Sequence, residues 1–132
     1  MTEADRSRVR QRAHGRCEYC HMPQSSLPAA RFHIEHIVAR QHGGTDSLDN
    51  LALACDRCNA FKGTNVSALD PESRSVVRLF DPRKQRWSEH FRQDGYQVIG
   101  LTPSGRATSI LLNMNAQQRV QLREELKLRL ED

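Results

Sequence analysis

The sequence predicts an α+β fold: a small stapled core of strand, loop, strand and helix, followed by a hairpin and helices. Three observations carry this. Two C-x-x-C pairs, Cys17/Cys20 and Cys55/Cys58, are separated by 34 residues, and each pair suits a knuckle that presents two thiolates to one ion. Between them Phe32 and Ile34 alternate with His33 and Glu35, the period of a half-buried strand. Only 37% of the 132 residues are hydrophobic and 5% aromatic, so the apolar core is thin and calls for a staple.

Taken in order, Thr2-Glu3-Ala4-Asp5 resembles a capping box, and the polar run after it ends at Gly15, which predicts a helix over residues 3–14. The first knuckle follows, then a loop bracketed by Pro23 and Pro28. Arg31 to Glu35 reads as a strand whose alternation puts His33 and Glu35 on one face. Gly43-Gly44 marks a turn, Leu51-Ala52-Leu53 a second strand, and Cys55 to Lys62 a short helix closed by Gly63. Further on, Val76 to Phe80 is a candidate strand. Trp87–Arg92 and Tyr96–Ile99 flank Asp94-Gly95 as in a hairpin. Thr102-Pro103 predicts a helix start, with Ala107, Ile110, Leu111 and Met114 at helical spacing, and a last helix is expected from Ala116 to Leu130 with Val120, Leu126 and Leu130 inward.

The formal charge of +4 suits an anionic partner without demanding one. Its distribution says more: from Arg74 to Arg106 seven basic residues face three acidic ones, Asp81, Glu89 and Asp94. Only Lys62, Lys84 and Lys127 among the cations are not arginine. Guanidinium grips phosphate with paired hydrogen bonds, so the bias favours oriented backbone contacts over diffuse attraction, although a solvated basic face has the same composition. No apolar run approaches a membrane span and the N-terminus lacks the apolar stretch of a signal peptide, which predicts a soluble, cytoplasmic protein with no membrane partner.

In that reducing compartment four thiolates at this spacing favour a structural zinc over two disulfides or a redox pair. A closed four-thiolate site has no open position and does no chemistry itself.

Inside the clamp lie Glu35-His36, Asn50 and Asn59. Phe32-His33-Ile34-Glu35-His36-Ile37, Gly43-Gly44, Asp49-Asn50-Leu51 and Cys55-x-x-Cys58-Asn59-x-x-Lys62-Gly63 together resemble an HNH endonuclease from about Cys17 to Gly63. The resemblance implies the ββα-metal (treble-clef-like) finger and hydrolysis of DNA phosphodiester bonds to 5′-phosphate and 3′-hydroxyl ends. It assigns the general base to the His36 position, orientation of that ring to Asn50, and a catalytic divalent ion to Glu35 and Asn59. Chemically, an imidazole with an ordinary pKa of ~6.5 can take a proton from water near neutrality. Oxygen donors with room for waters and phosphate suit Mg²⁺, with Mn²⁺ as a substitute. Two departures matter: other members carry Asp or His at the Glu35 position, and some carry a histidine where this chain has Gly63. His33 could then reach metal or phosphate, or serve only structure, while Lys62 and Arg57 flank Asn59 as candidate phosphate contacts.

The expected division is a nuclease module over residues 1–63 and a basic extension over 64–132, which through Leu79-Phe80-Asp81-Pro82-Arg83, Trp87-Ser88-Glu89-His90-Phe91 and the run from Gly100 to Thr108 resembles the extension of a subset of small bacterial HNH proteins. In the extension Arg83, Lys84, Arg86 and Arg92, beside Trp87 and Phe91, could follow a DNA backbone or merely keep the hairpin soluble. One finger holds one site, so a lone chain would nick, and a homodimer is one route to cutting both strands. The rival reading is a zinc-stabilised DNA-binding module without turnover.

Overall fold

The computed structural model describes residues 1–130, in an α+β arrangement of small two-stranded sheets and helices. The chain divides into two compact units, Met1–Val66 and one that begins at Ser67. Among the described residues no helix is long and apolar enough to cross a membrane.

The first unit opens with α1 (Glu3–Arg12). Its capping box is complete: Thr2 Oγ1 accepts from the Asp5 amide at 3.1 Å, and Asp5 Oδ2 accepts from the Thr2 amide at 3.0 Å. The helix buries only Val9, and the Arg12 guanidinium donates to the Leu51 carbonyl. Strands β1 (His33–His36) and β2 (Leu51–Ala54) pair antiparallel, with Glu35 opposite Ala52 and His36 opposite Leu51. Every residue of β2 is buried, so this strand is the floor on which β1 and helix α2 (Asp56–Lys62) rest. Cys55 caps α2 by accepting the Cys58 amide on its sulfur at 3.4 Å, and Gly63, at φ +51°, closes it.

The loop between the two strands is held by Asn50. Its Oδ1 accepts from the Val38 amide at 2.9 Å, and its Nδ2 donates to the carbonyls of Val38 and Thr45 at 2.9 and 2.8 Å. Gly44 is required here, because a Cβ would stand 1.7 Å from the Val38 oxygen and 2.9 Å from Asn50 Nδ2.

The second unit contains β3 (Ser67–Leu69) paired with β4 (Val76–Arg78), a one-turn helix α3 (Trp87–His90), the hairpin β5 (Phe91–Asp94) and β6 (Gln97–Gly100), then α4 (Pro103–Leu111) and α5 (Gln117–Glu125). Phe80 meets Phe91 edge-on at 5.2 Å and Trp87 meets Phe91 at 5.1 Å, placing most of the unit's aromatic surface in one cluster. Asp70, fully buried, receives the Arg106 guanidinium on both oxygens at 2.9 Å, and that pairing holds its carboxyl well below the usual carboxylate range.

Three expectations change. Residues Trp87–His90 form a helical turn instead of the start of a strand, and the hairpin begins only at Phe91. The last helix ends at Glu125, not Leu130: Lys127 takes a left-handed conformation, and Leu130, buried, donates its amide to Gln93 Oε1. Its buried side chains are Arg119 and Arg123, whereas Leu126 is exposed. Arg123 lies inside because its guanidinium bonds the carbonyls of Tyr96 and Met114 at 2.9 and 2.5 Å.

Candidate active site

Four sulfurs come first, because they set the frame. Cys17, Cys20, Cys55 and Cys58 are buried, and one ligand atom from each lies within 4.8 Å of all the others. Cys20 Sγ is 3.8 Å from Cys55 Sγ. A tetrahedral ion bonded to sulfur at ~2.3 Å has sulfur–sulfur edges of about 3.8 Å, so the cluster fits a metal. Burial pushes the Cys17 thiol up and the neighbouring sulfurs push Cys58 up, the electrostatic conflict that a divalent cation removes.

The first knuckle reaches past its sulfurs. Tyr19, buried between Cys17 and Cys20, donates its hydroxyl to Glu35 Oε1, and Glu18 Oε2 accepts the Leu53 amide at 2.8 Å. Glu35 Oε2 is 3.1 Å from Lys62 Nζ, and both side chains are almost wholly buried, at 5% and 2% exposure. Lys62 also donates to the carbonyls of His36 and Ile37 at 3.3 and 2.9 Å. Burial raises the Glu35 carboxyl above the ordinary range, against the pull of Lys62 and Tyr19.

His36 projects from the same strand. Its Nε2 lies 2.8 Å from Asp46 Oδ1, which also accepts from Arg40 Nη2 and Nε at 2.7 and 3.2 Å, while the amino group of Met1 is 3.3 Å from Oδ2. These donors, His36 foremost, hold the Asp46 carboxyl far below the usual carboxylate range. A cavity of 480 Å³ opens beside this group, lined by Ile34, Glu35, His36, Ala39, Arg40, Gln41, Asn59 and Gly63. Thus β1 brings His36 and Glu35, and α2 brings Asn59, to one wall. Among the described residues no side chain bonds the half-buried Asn59 carboxamide.

A stapled ββα unit with a histidine, a carboxylate and a carboxamide on one cavity matches the profile of the HNH endonuclease family over residues 17–65. Residues 17–65 form an HNH domain. A 67-residue stretch is 33% identical to the CRISPR-associated endonuclease Cas9 of Corynebacterium diphtheriae, covering 50% of this chain and 6% of that protein. The chain therefore spans only a small fraction of that relative's length. No solved structure matches.

Within the HNH domain the other sequence-nominated residues have separate places. Asn50 spends both amide hydrogens and an oxygen lone pair on the backbone at Val38 and Thr45, so it fixes the loop, and the ring of His36 is instead bonded by Asp46. His33, paired with Ala54 in the sheet, is not among the cavity-lining residues. Lys62 directs its ammonium inward to Glu35, away from any surface phosphate. Arg57 lies over the Phe61 ring at 5.5 Å on α2. Arg83, Lys84, Arg86 and Arg92 belong to the second unit, where the last three are exposed. Asp46 and Tyr19 escape sequence reasoning. The one available signal for Tyr19 is its position between two ligand cysteines; Asp46 has none.

Proposed function

We propose that this protein is a metal-dependent DNA endonuclease in which His36 is the general base and the four cysteines hold a structural zinc. The observation that supports this reading best is the cavity lined jointly by His36, Glu35 and Asn59. Glu35 and Asn59 would hold a Mg²⁺-type ion that, when bound, neutralises charge on the phosphate and the departing oxygen. His36 takes the proton of the attacking water, a contribution typically worth ~10²–10⁴-fold. Arg40, with its guanidinium largely exposed on the same wall, offers a planar donor pair to a phosphate oxygen. Asn50 and Gly44 keep the intervening loop in the one shape that sets Arg40 and Asp46 beside the ring.

The test is nicking of supercoiled plasmid. Wild type is expected to nick with Mg²⁺ and to stop with chelator, while His36→Ala loses about 10²-fold or more in rate with unchanged DNA affinity. Absence of nicking across divalent ions, or full activity in His36→Ala, defeats the reading. One observation favours the rival, a DNA-binding module without turnover: both Glu35 oxygens already have donors in Tyr19 and Lys62. Binding without nicking is its signature.

The extension is proposed to lie along the DNA backbone through Arg83, Lys84, Arg86 and Arg92. Replacing Arg83, Lys84 and Arg86 together by Gln should reduce the slope of log affinity against log salt by about 0.9 for each phosphate no longer neutralised. An unchanged slope leaves these cations as a solubilising face.

A further inference from the structure

We propose that Asp46 is the positioning residue for His36: its carboxylate fixes the ring in the tautomer with hydrogen on Nε2, leaving Nδ1 as the nitrogen that accepts the proton. This rests on the reading of His36 as base and names the side chain that makes it one. The geometry is direct, with Nε2 at 2.8 Å from Asp46 Oδ1. An ionised carboxylate only accepts hydrogen bonds, so the nitrogen facing it must donate, which makes the opposite nitrogen the basic one. Asp46 stays ionised because Arg40 Nη2 and Nε and the Met1 amino group surround the same carboxylate.

Asp46 is itself placed by its loop. Asn50 bonds the backbone at Val38 and Thr45, on both sides of the turn, and Gly44 lets that turn close against the Val38 carbonyl. The ring of His36 is thereby held at one end by strand β1 and at the other by a loop whose shape is fixed by backbone hydrogen bonds. Such preorganisation removes the cost of orienting the base at the moment of reaction, and a misplacement of about 1 Å can cost on the order of 10²-fold.

The experiment joins a spectroscopic and a kinetic readout on the full chain. In wild type, proton NMR should show a slowly exchanging imidazole N–H resonance downfield of ordinary ring N–H protons, assigned to Nε2 of His36 by its loss in His36→Ala. Asp46→Ala should lose that resonance while keeping the circular dichroism spectrum and metal content of wild type. In plasmid nicking the same variant should lose about 10²-fold in kcat with KM within about twofold. Asp46→Asn, whose amide oxygen can still accept from Nε2, should recover part of that loss. Persistence of the resonance in Asp46→Ala, or wild-type kcat in that variant, overturns the proposal. If wild type does not nick at all, the nuclease reading fails, while the resonance still decides whether Asp46 holds the ring.

Discussion

Cys55→Ser is expected to unfold the Met1–Val66 unit. Cys55 is a corner of the sulfur cluster, follows directly on the wholly buried strand β2 and caps helix α2 through its sulfur. A structural zinc contributes on the order of 10–16 kcal/mol in peptide systems, as large as a typical domain's whole net stability of about 5–15 kcal/mol, so losing one ligand outweighs any single packing defect here. The hydrophobic core cannot compensate: its large buried members in this unit are Val9, Tyr19, Met22, Phe32, Ile37, Leu51 and Leu53. Purified wild type should contain one zinc per chain by elemental analysis. Cys55→Ser should contain less and show no cooperative melt of this unit, while Glu35→Ala should keep its metal. Equal losses in the two variants, or a folded wild type free of zinc, would count against the staple.

The second large effect concerns Lys62→Met. Methionine retains the length and apolar bulk of the lysine stem but removes the three hydrogen bonds to Glu35, His36 and Ile37. A buried carboxylate then keeps only Tyr19 as partner. Breaking a buried pair from one side typically costs 3–5 kcal/mol, roughly the loss expected here. The pH dependence has a definite sign. The Glu35 carboxyl is already raised by burial, and removing Lys62 raises it further. A carboxyl whose pKa is higher folded than unfolded destabilises the fold above the unfolded value of ~4.3, and this penalty is relieved as pH falls and the group protonates. Urea melts should therefore show the deficit of Lys62→Met growing from acid to neutral pH. Adding Glu35→Gln should restore part of it, and millimolar Mg²⁺ should do the same if Glu35 is a ligand. A variant as stable as wild type at neutral pH would mean that the pair contributes nothing.

How much of the fold is legible in the sequence depends on whether the signal is local. The two C-x-x-C pairs, the alternation around Ile34, the Thr2 capping box and the Thr102-Pro103 helix start are short-range patterns, and all four correspond to elements of the structure. Strand β3 escapes notice because it has three residues, no alternating burial and an exposed end at Leu69. The last helix is shorter than its pattern suggests because Leu126 and Leu130 imitate an apolar face, whereas the buried positions are arginines, and Arg123 is satisfied by distant carbonyls. The site shows the same division. His36, Glu35 and Asn59 are nominated together by the resemblance of their motifs to the HNH family, and the cavity includes all three. Asp46 cannot, because its approach to His36 depends on how Asn50 and Gly44 fold the intervening loop, and nothing in a run of Thr, Asp and Ser announces that. Nor can the inward turn of Lys62, since a lysine at the end of a short helix ordinarily points to water.

The hydroxyl that joins the knuckle to the carboxylate has one more consequence. Tyr19 sits between two of the clustered cysteines, so an ion held by Cys17 and Cys20 would also frame its reach to Glu35. Converting those two thiols to a disulfide would withdraw them from a metal site, and without that frame the Tyr19 hydroxyl would no longer be held against the buried acid, whose other donor is Lys62. Oxidation at the sulfur cluster is therefore expected to loosen the cavity wall and the fold of this unit together.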